Sequence, residues 1–138
     1  MASYELNVAP QACAISRLID WLQSCCRADG LADEFTMKVA LALEEAVVNA
    51  ITHGFAGLPP PHRILVRLDI GADTLVAEIT DNGRPFDPIS APGPDLSLPL
   101  AERDPGGLGI HLMRAMVDRV EYRRVDGNNI LRLEKSRD

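Results

Sequence analysis

The chain predicts an α+β fold in two layers, on three observations. Helical periodicity occupies two early segments and one late one. Period-two segments joined by short glycine-containing turns lie between and after them. The whole is 138 residues long, which at roughly 150 residues per domain makes residues 1–138 a single domain.

Each element has its own local cause. Tyr4, Leu6 and Val8 alternate with polar residues and predict a first strand, which Pro10 ends. Ile15, Leu18, Leu22 and Cys25 then follow three- and four-residue steps, so an amphipathic helix is expected over 11–27, broken by Asp29-Gly30. A second helix is expected over 32–53, with Asp33 near its start, Ala and Leu through its middle and Gly54 just past its end. Pro59-Pro60-Pro61 marks a loop. Ile64, Val66, Leu68 and Ile70 alternate with Leu65, Arg67 and Asp69, a strand with one strongly apolar face. The turn Gly71-Ala72-Asp73 leads to a return strand over 74–80. A third helix is expected over 108–117, then strands over 120–125 and 129–134 around Asp126-Gly127. Between Gly83 and Gly107 no period holds, and six of the ten prolines fall there (Pro85, Pro88, Pro92, Pro94, Pro99 and Pro105). A loop that long in a compact domain is a functional lid or a disordered segment.

Composition narrows the functional class. Apolar residues at 46% and charged residues at 25% are ordinary for a globular protein. Fourteen Lys and Arg against twenty Asp and Glu give a net charge of -6, which argues against a nucleic-acid partner. The longest apolar run, Val39 to Leu43, is too short to span a bilayer, and no secretion signal is visible. Cys13, Cys25 and Cys26 are odd in number and two are adjacent, so reduced thiols in a cytoplasmic protein are expected.

Three short constellations carry chemistry. In Glu44-Glu45-Ala46-Val47-Val48-Asn49, Glu45 and Asn49 are four residues apart and share one helix face, and His53 continues the stripe. A carboxylate beside an amide oxygen can position a hydroxyl and a hard cation such as Mg2+. Taken alone, the stripe reads as a solvated helix face. Asp81-Asn82-Gly83 closes the strand over 75–80. Its carboxylate can accept from an exocyclic amine, and Gly83 lets a flat ring approach the backbone, although alone it reads as a turn. Gly106-Gly107-Leu108-Gly109-Ile110 opens the third helix, where free backbone N–H groups suit phosphate oxygens. It is neither a dinucleotide fingerprint nor a P-loop.

In this order and separation, Glu-x-x-x-Asn, Asp-x-Gly and Gly-x-Gly resemble the N, G1 and G2 boxes of the GHKL superfamily of histidine-kinase-like ATPases. Within it, ALEEAVVNAITHG, DNGRPFDP and GGLGIHLMRAMVDRVEY look most like the anti-sigma factor serine/threonine kinases of bacterial partner-switching systems. The resemblance runs over 36–133. It implies the Bergerat-type α/β sandwich, a mixed and mostly antiparallel sheet covered by helices on one face.

The resemblance also implies roles. Glu45, rather than Glu44, would be the general base, because only Glu45 stands four residues before Asn49. Asn49 would hold Mg2+ against the phosphates of ATP. Asp81 would bind the adenine amine, with Gly83 making room for the ring. Gly107 and Gly109 would lie against the phosphates, residues 84–107 would form the ATP lid, and Arg103 would reach the γ-phosphate. Two departures stand out: Pro85 replaces a second G1 glycine, and Asn128 and Asn129 stand where the family often offers a Thr near the adenine.

The activity implied is transfer of the γ-phosphoryl group of Mg-ATP to a serine or threonine of an anti-anti-sigma antagonist protein, with a sigma factor as the second partner and a homodimer as the assembly. The alternatives are a non-catalytic nucleotide-binding sequestration module and an ATPase of the same fold. His53 is expected to pack or cap near its helix end, His111 and Met113 to pack in the third helix, and Trp21 and the three cysteines to be core. None has metal-ligand spacing.

Overall fold

The computed structural model describes residues 2–11, 13–89 and 105–138, with side chains from 110 onward in the last stretch. In chain order the elements are β1 (Ala2–Val8), α1 (Ala14–Ala28), α2 (Asp33–Asn49), a π-helical turn (Ala50–Gly54), β2 (Ile64–Ile70), β3 (Thr74–Asp81), α3 (Pro105–Met116), β4 (Arg119–Val125) and β5 (Asn128–Ser136). All eight expected elements form.

The strands make one sheet in the order β1-β2-β3-β5-β4. Where a mixed sheet was expected, every pairing among the described strands is antiparallel. Period-two alternation turns Ile64, Val66, Leu68 and Ile70 of β2 and Leu75, Ala77 and Ile79 of β3 toward the helices, all buried. Leu18 and Leu22 of α1, Val39, Leu43 and Val47 of α2 and Met113 of α3 meet them in one core.

The face turned away from the helices carries the charged residues, alongside Leu65, Val76, Ile130 and Val125, and register gives the charges order. Glu5, Arg67, Glu78, Arg132 and Glu121 stand opposite one another across β1, β2, β3, β5 and β4. Charge sign alternates at every step of that row. Opposite charges facing each other each favour the register by about 0.2–1 kcal/mol. Ion pairs such as Arg132–Glu134 at 2.7 Å and Arg123–Glu78 at 3.6 Å extend the pattern.

Register also polarises the molecule. Ala2 stands opposite Ile70, and Ser136 opposite Thr74, so β1 begins and β5 ends at the pole of the β2–β3 turn. Arg137 fastens that pole: its Nη1 donates to Asp29 Oδ2 at 3.0 Å and to the Gly71 carbonyl at 2.7 Å. Asp81 lies at the opposite end of β3.

Three packing expectations need correction. Cys13 is exposed while Cys25 and Cys26 are buried, because Cys13 precedes the first turn of α1. Burial pushes both buried thiols above their ordinary range. Trp21 is only partly buried against the core. His111 is exposed, whereas Met113, two positions on and about 200° round the helix, is fully buried. No helix among the described residues is long and apolar enough to cross a membrane.

Candidate nucleotide site

The continuous helix expected over 32–53 is instead two pieces. The α-helix ends at Asn49, and the next turn is wound as a π-helix, with the Phe55 N–H donating to the Ala50 carbonyl at 3.0 Å. Such turns carry one extra residue, and they recur at functional sites. Here the turn delivers Gly54, buried, against the chain leaving β3. The Arg84 N–H donates to the Gly54 carbonyl at 2.7 Å. A Cβ built on Gly83 would lie 2.7 Å from the Gly54 carbonyl carbon and oxygen. Gly83 is therefore required by the helix end it touches, before any ring is considered.

Period two explains the placement of Asp81. It shares the inward parity of Leu75, Ala77 and Ile79, so a carboxylate ends a row of core side chains. It is 8% exposed, and directly opposite it across the sheet stands Asn129, 4% exposed. Asp81 Oδ1 accepts from the Gly83 N–H at 2.9 Å and from Asn129 Nδ2 at 3.0 Å. No hydrogen bond reaches its Oδ2 among the described residues. Burial pushes the Asp81 carboxyl above its usual range, outweighing the Asn129 amide, the Gly83 N–H and the Arg124 guanidinium, which all pull it down.

A small cavity of about 20 Å³ is lined by Asn49, Gly54, Asp81, Phe86, Pro88 and Asn129, among others. That is room for about one water, not for a purine ring. Phe86 forms part of the cavity wall: its ring stacks on that of His53 at 4.7 Å, and its N–H donates to Asn129 Oδ1 at 3.4 Å. The expectation that His53 packs at its helix end is met by this stack, although the residue is exposed.

Asn49 lines the same cavity and is 7% exposed. Its Nδ2 is buried without a hydrogen-bond partner. An orphaned buried amide costs roughly 1–3 kcal/mol unless something binds it. The unpartnered atom is a hydrogen-bond donor and cannot itself hold a cation; turning the amide over would exchange it for the oxygen, a hard ligand of the kind Mg2+ takes together with phosphates and water. No group of three or more His, Cys, Asp or Glu able to cage a metal occurs among the described residues.

Glu45 stands one turn before Asn49 on α2 and is half-buried, but it is not among the residues lining the cavity. Burial raises its carboxyl above the ordinary 4.5, and neighbouring Glu44 raises it further.

Residues 8–135 match the model of the histidine kinase-like ATPase domain. The chain belongs to that family. A histidine kinase-like ATPase domain of this length has a curated relative in the serine/threonine-protein kinase BtrW of Bordetella bronchiseptica, 29% identical over 130 residues, which cover 93% of this chain and 89% of that one. In fold it resembles the RsbU and RsbW domains of a Mycobacterium tuberculosis protein, with a TM-score of 0.70, 15% identity and 98% of this chain covered. The match spans about a third, 32%, of that solved chain. The histidine kinase domain of a blue-light-activated kinase from Erythrobacter litoralis is also similar, with a TM-score of 0.55 and 16% identity over 89% of this chain and 59% of that one.

Of the expected site residues, the fold brings Asn49 and Asp81 to one cavity, while Gly83 stands behind its wall against Gly54. Arg103 and most of the expected lid lie outside the described residues. Gly106 and Gly107 fall inside the first turn of α3, which begins at Pro105 rather than at Leu108. First-turn N–H groups lack intrahelical partners, so Gly107 keeps a free donor, while Gly109 is already in the second turn. Sequence reasoning missed Tyr122 and Arg124. Tyr122 Oη and Arg124 Nη1 donate to Asn129 Oδ1 at 2.6 and 3.0 Å. It also missed that Asn82 holds the loop before β2, its Oδ1 accepting from the Arg63 N–H at 2.7 Å and its Nδ2 donating to the Pro61 carbonyl at 2.9 Å. The register of β4 against β5 would have revealed the first group, and no sequence signal fixes that register.

Proposed function

We propose that the protein binds Mg-ATP in the cavity between α2 and the ends of β3 and β5, and transfers the γ-phosphoryl group to a serine or threonine of an anti-anti-sigma antagonist, holding a sigma factor inactive as its other activity. The observation that carries the nucleotide reading is the pairing, on one cavity wall, of a buried carboxylate whose Oδ2 takes no hydrogen bond among the described residues and a buried amide with an unpartnered nitrogen. The serine/threonine kinase relative and the RsbW-like fold support the transfer reading.

Each residue then has a task. Asp81 Oδ2 accepts from the adenine amine. Phe86 and Pro88 swing outward to admit the ring. Asn49 would hold Mg2+ through its amide oxygen, and the ion would supply positive charge to the phosphates. Gly106 and Gly107 offer first-turn N–H groups to phosphate oxygens. Glu45, whose proton affinity is raised by burial and by Glu44, is suited to take the proton of the attacking hydroxyl. The acidic chain works as a homodimer in the cytoplasm, without nucleic acid or membrane as a direct partner.

The test is transfer itself. The purified protein is incubated with γ-labelled Mg-ATP and the small antagonist proteins of its own genome, and the phosphorylated residue is mapped. Label on one antagonist serine or threonine, lost in Glu45→Ala, supports the reading. ATP binding without transfer to any antagonist overturns it in favour of sequestration alone.

A further inference from the structure

The side chain of Asn129 is saturated with hydrogen bonds. Its Oδ1 accepts from Tyr122 Oη at 2.6 Å, Arg124 Nη1 at 3.0 Å and the Phe86 N–H at 3.4 Å. Its Nδ2 donates to Asp81 Oδ1 at 3.0 Å and to the Arg84 carbonyl at 2.6 Å. Only one orientation of the amide satisfies this set. A guanidinium and a backbone N–H cannot accept, and a carbonyl cannot donate, so a flipped amide would lose most of these bonds. Arg124 Nη1 also donates to the Gly83 carbonyl at 2.8 Å, tying the same strand to the chain beyond Asp81.

We propose that Asn129 is a positioning residue that sets nucleobase specificity, holding Asp81 as an acceptor-only carboxylate with Oδ2 free. The inference rests on the reading of Asp81 as the adenine acceptor. With both Nδ2 hydrogens committed and Oδ1 full, Asn129 has no capacity left for the base itself. Its effect passes through Asp81. Burial favours a proton on Asp81, and a protonated carboxyl would present a donor in place of an acceptor. A donor suits the 6-oxo group of hypoxanthine and opposes the 6-amino group of adenine. The fixed amide donor at Oδ1 works against that protonation, and the donors from β4 keep the amide from turning round.

The experiment compares ATP with inosine triphosphate by titration calorimetry, because the two differ at the position Asp81 would read. The wild type should favour ATP. Asn129→Asp keeps an acceptor for Tyr122, Arg124 and Phe86 but places a second carboxylate against Asp81 Oδ1, so a proton is retained by the pair. The ATP preference should then fall by at least roughly tenfold. A purely structural role would weaken both nucleotides alike and leave their ratio unchanged. Tyr122→Phe, a mild change that removes the shortest bond holding the amide, should lower the preference by about twofold or more, and it serves if the first variant does not fold. An unchanged ratio in the folded variants overturns the proposal. Asp81→Asn separates the two levels. If it keeps the wild-type preference for ATP, the adenine assignment fails and this inference with it. If it loses that preference while Asn129→Asp retains it, only the role of Asn129 falls.

Discussion

The backbone of Gly54 touches that of Gly83 so closely that no side chain fits between them, the nearest approach to an added Cβ being 2.7 Å. The obstacle is main chain, which cannot swing aside as a flexible side chain would. Gly83→Ala must therefore push the end of the π-helical turn away from the chain leaving β3. We expect a loss of about 1–3 kcal/mol in denaturant unfolding and weakened ATP binding. A variant of wild-type stability would show that this contact yields at no cost.

Asp81→Asn should part stability from binding. The folded carboxyl is raised above its ordinary 3.8 by burial, so in the window between that value and the folded one the native state holds the proton more tightly than the unfolded chain. Stability from this group is therefore present at lower pH and is lost as pH rises through the folded value. An amide carries no such penalty and can still accept at Oδ1 from Gly83 and Asn129. The variant should melt no lower than wild type at pH 7 and show a flatter stability-pH curve, while its ATP affinity falls at least roughly tenfold. A lower Tm would show that the charge itself stabilises the fold.

Asn49→Ala should cost the free protein little, since the amide nitrogen it removes is already unpartnered. Its effect belongs to the metal. For the wild type, chelating Mg2+ should weaken ATP binding in calorimetry. For the variant, affinities with and without Mg2+ should converge to within about threefold. An undiminished Mg2+ effect would remove Asn49 from the metal site.

Glu45→Ala should keep ATP binding and lower phosphoryl transfer by roughly 10²–10⁴. Because burial and Glu44 raise the Glu45 carboxyl, the wild-type rate should fall with decreasing pH at a midpoint above 4.5. Should Glu44→Ala carry the defect instead, the spacing argument that selected Glu45 is wrong.

Phe86→Ala should speed nucleotide entry. Breaking the His53–Phe86 stack removes an aromatic contact worth about 0.5–1.5 kcal/mol, and the missing ring enlarges the cavity mouth. Stopped-flow association of a fluorescent ATP analogue should accelerate about two- to tenfold. An unaltered rate would mean that another segment limits entry.

What the sequence carries and what it lacks follows from the range of each interaction. Apolar period fixed the eight elements to within a few residues, because β2 and β3 bury one face each and a one-residue slip would expose it. The inward placement of Asn49 and Asp81, each on a single element, is legible from the same periodicity. The π-helical turn was not, since no local preference marks the extra residue in AITHG. Nor were Tyr122 and Arg124, whose partner stands across β4 and β5, or the alternating row from Glu5 to Glu121. Those depend on register, a property of pairs of strands. Residue type alone puts Trp21 and Cys13 in the core, but their positions along α1 and before it leave the first partly buried and the second exposed.

The two poles of the sheet bear on how the domain can be built into larger chains or equipped with reporters. From Thr74 to Asp81, β3 spans seven steps, roughly 24 Å at about 3.4 Å each. A fluorophore, affinity handle or neighbouring domain joined before β1 or after β5 would therefore sit a full strand length from the Asp81 carboxylate. Such additions can load the Arg137 clamp without crowding the mouth of the cavity, so the domain is suited to work as a cassette whose attachments and chemistry occupy opposite ends.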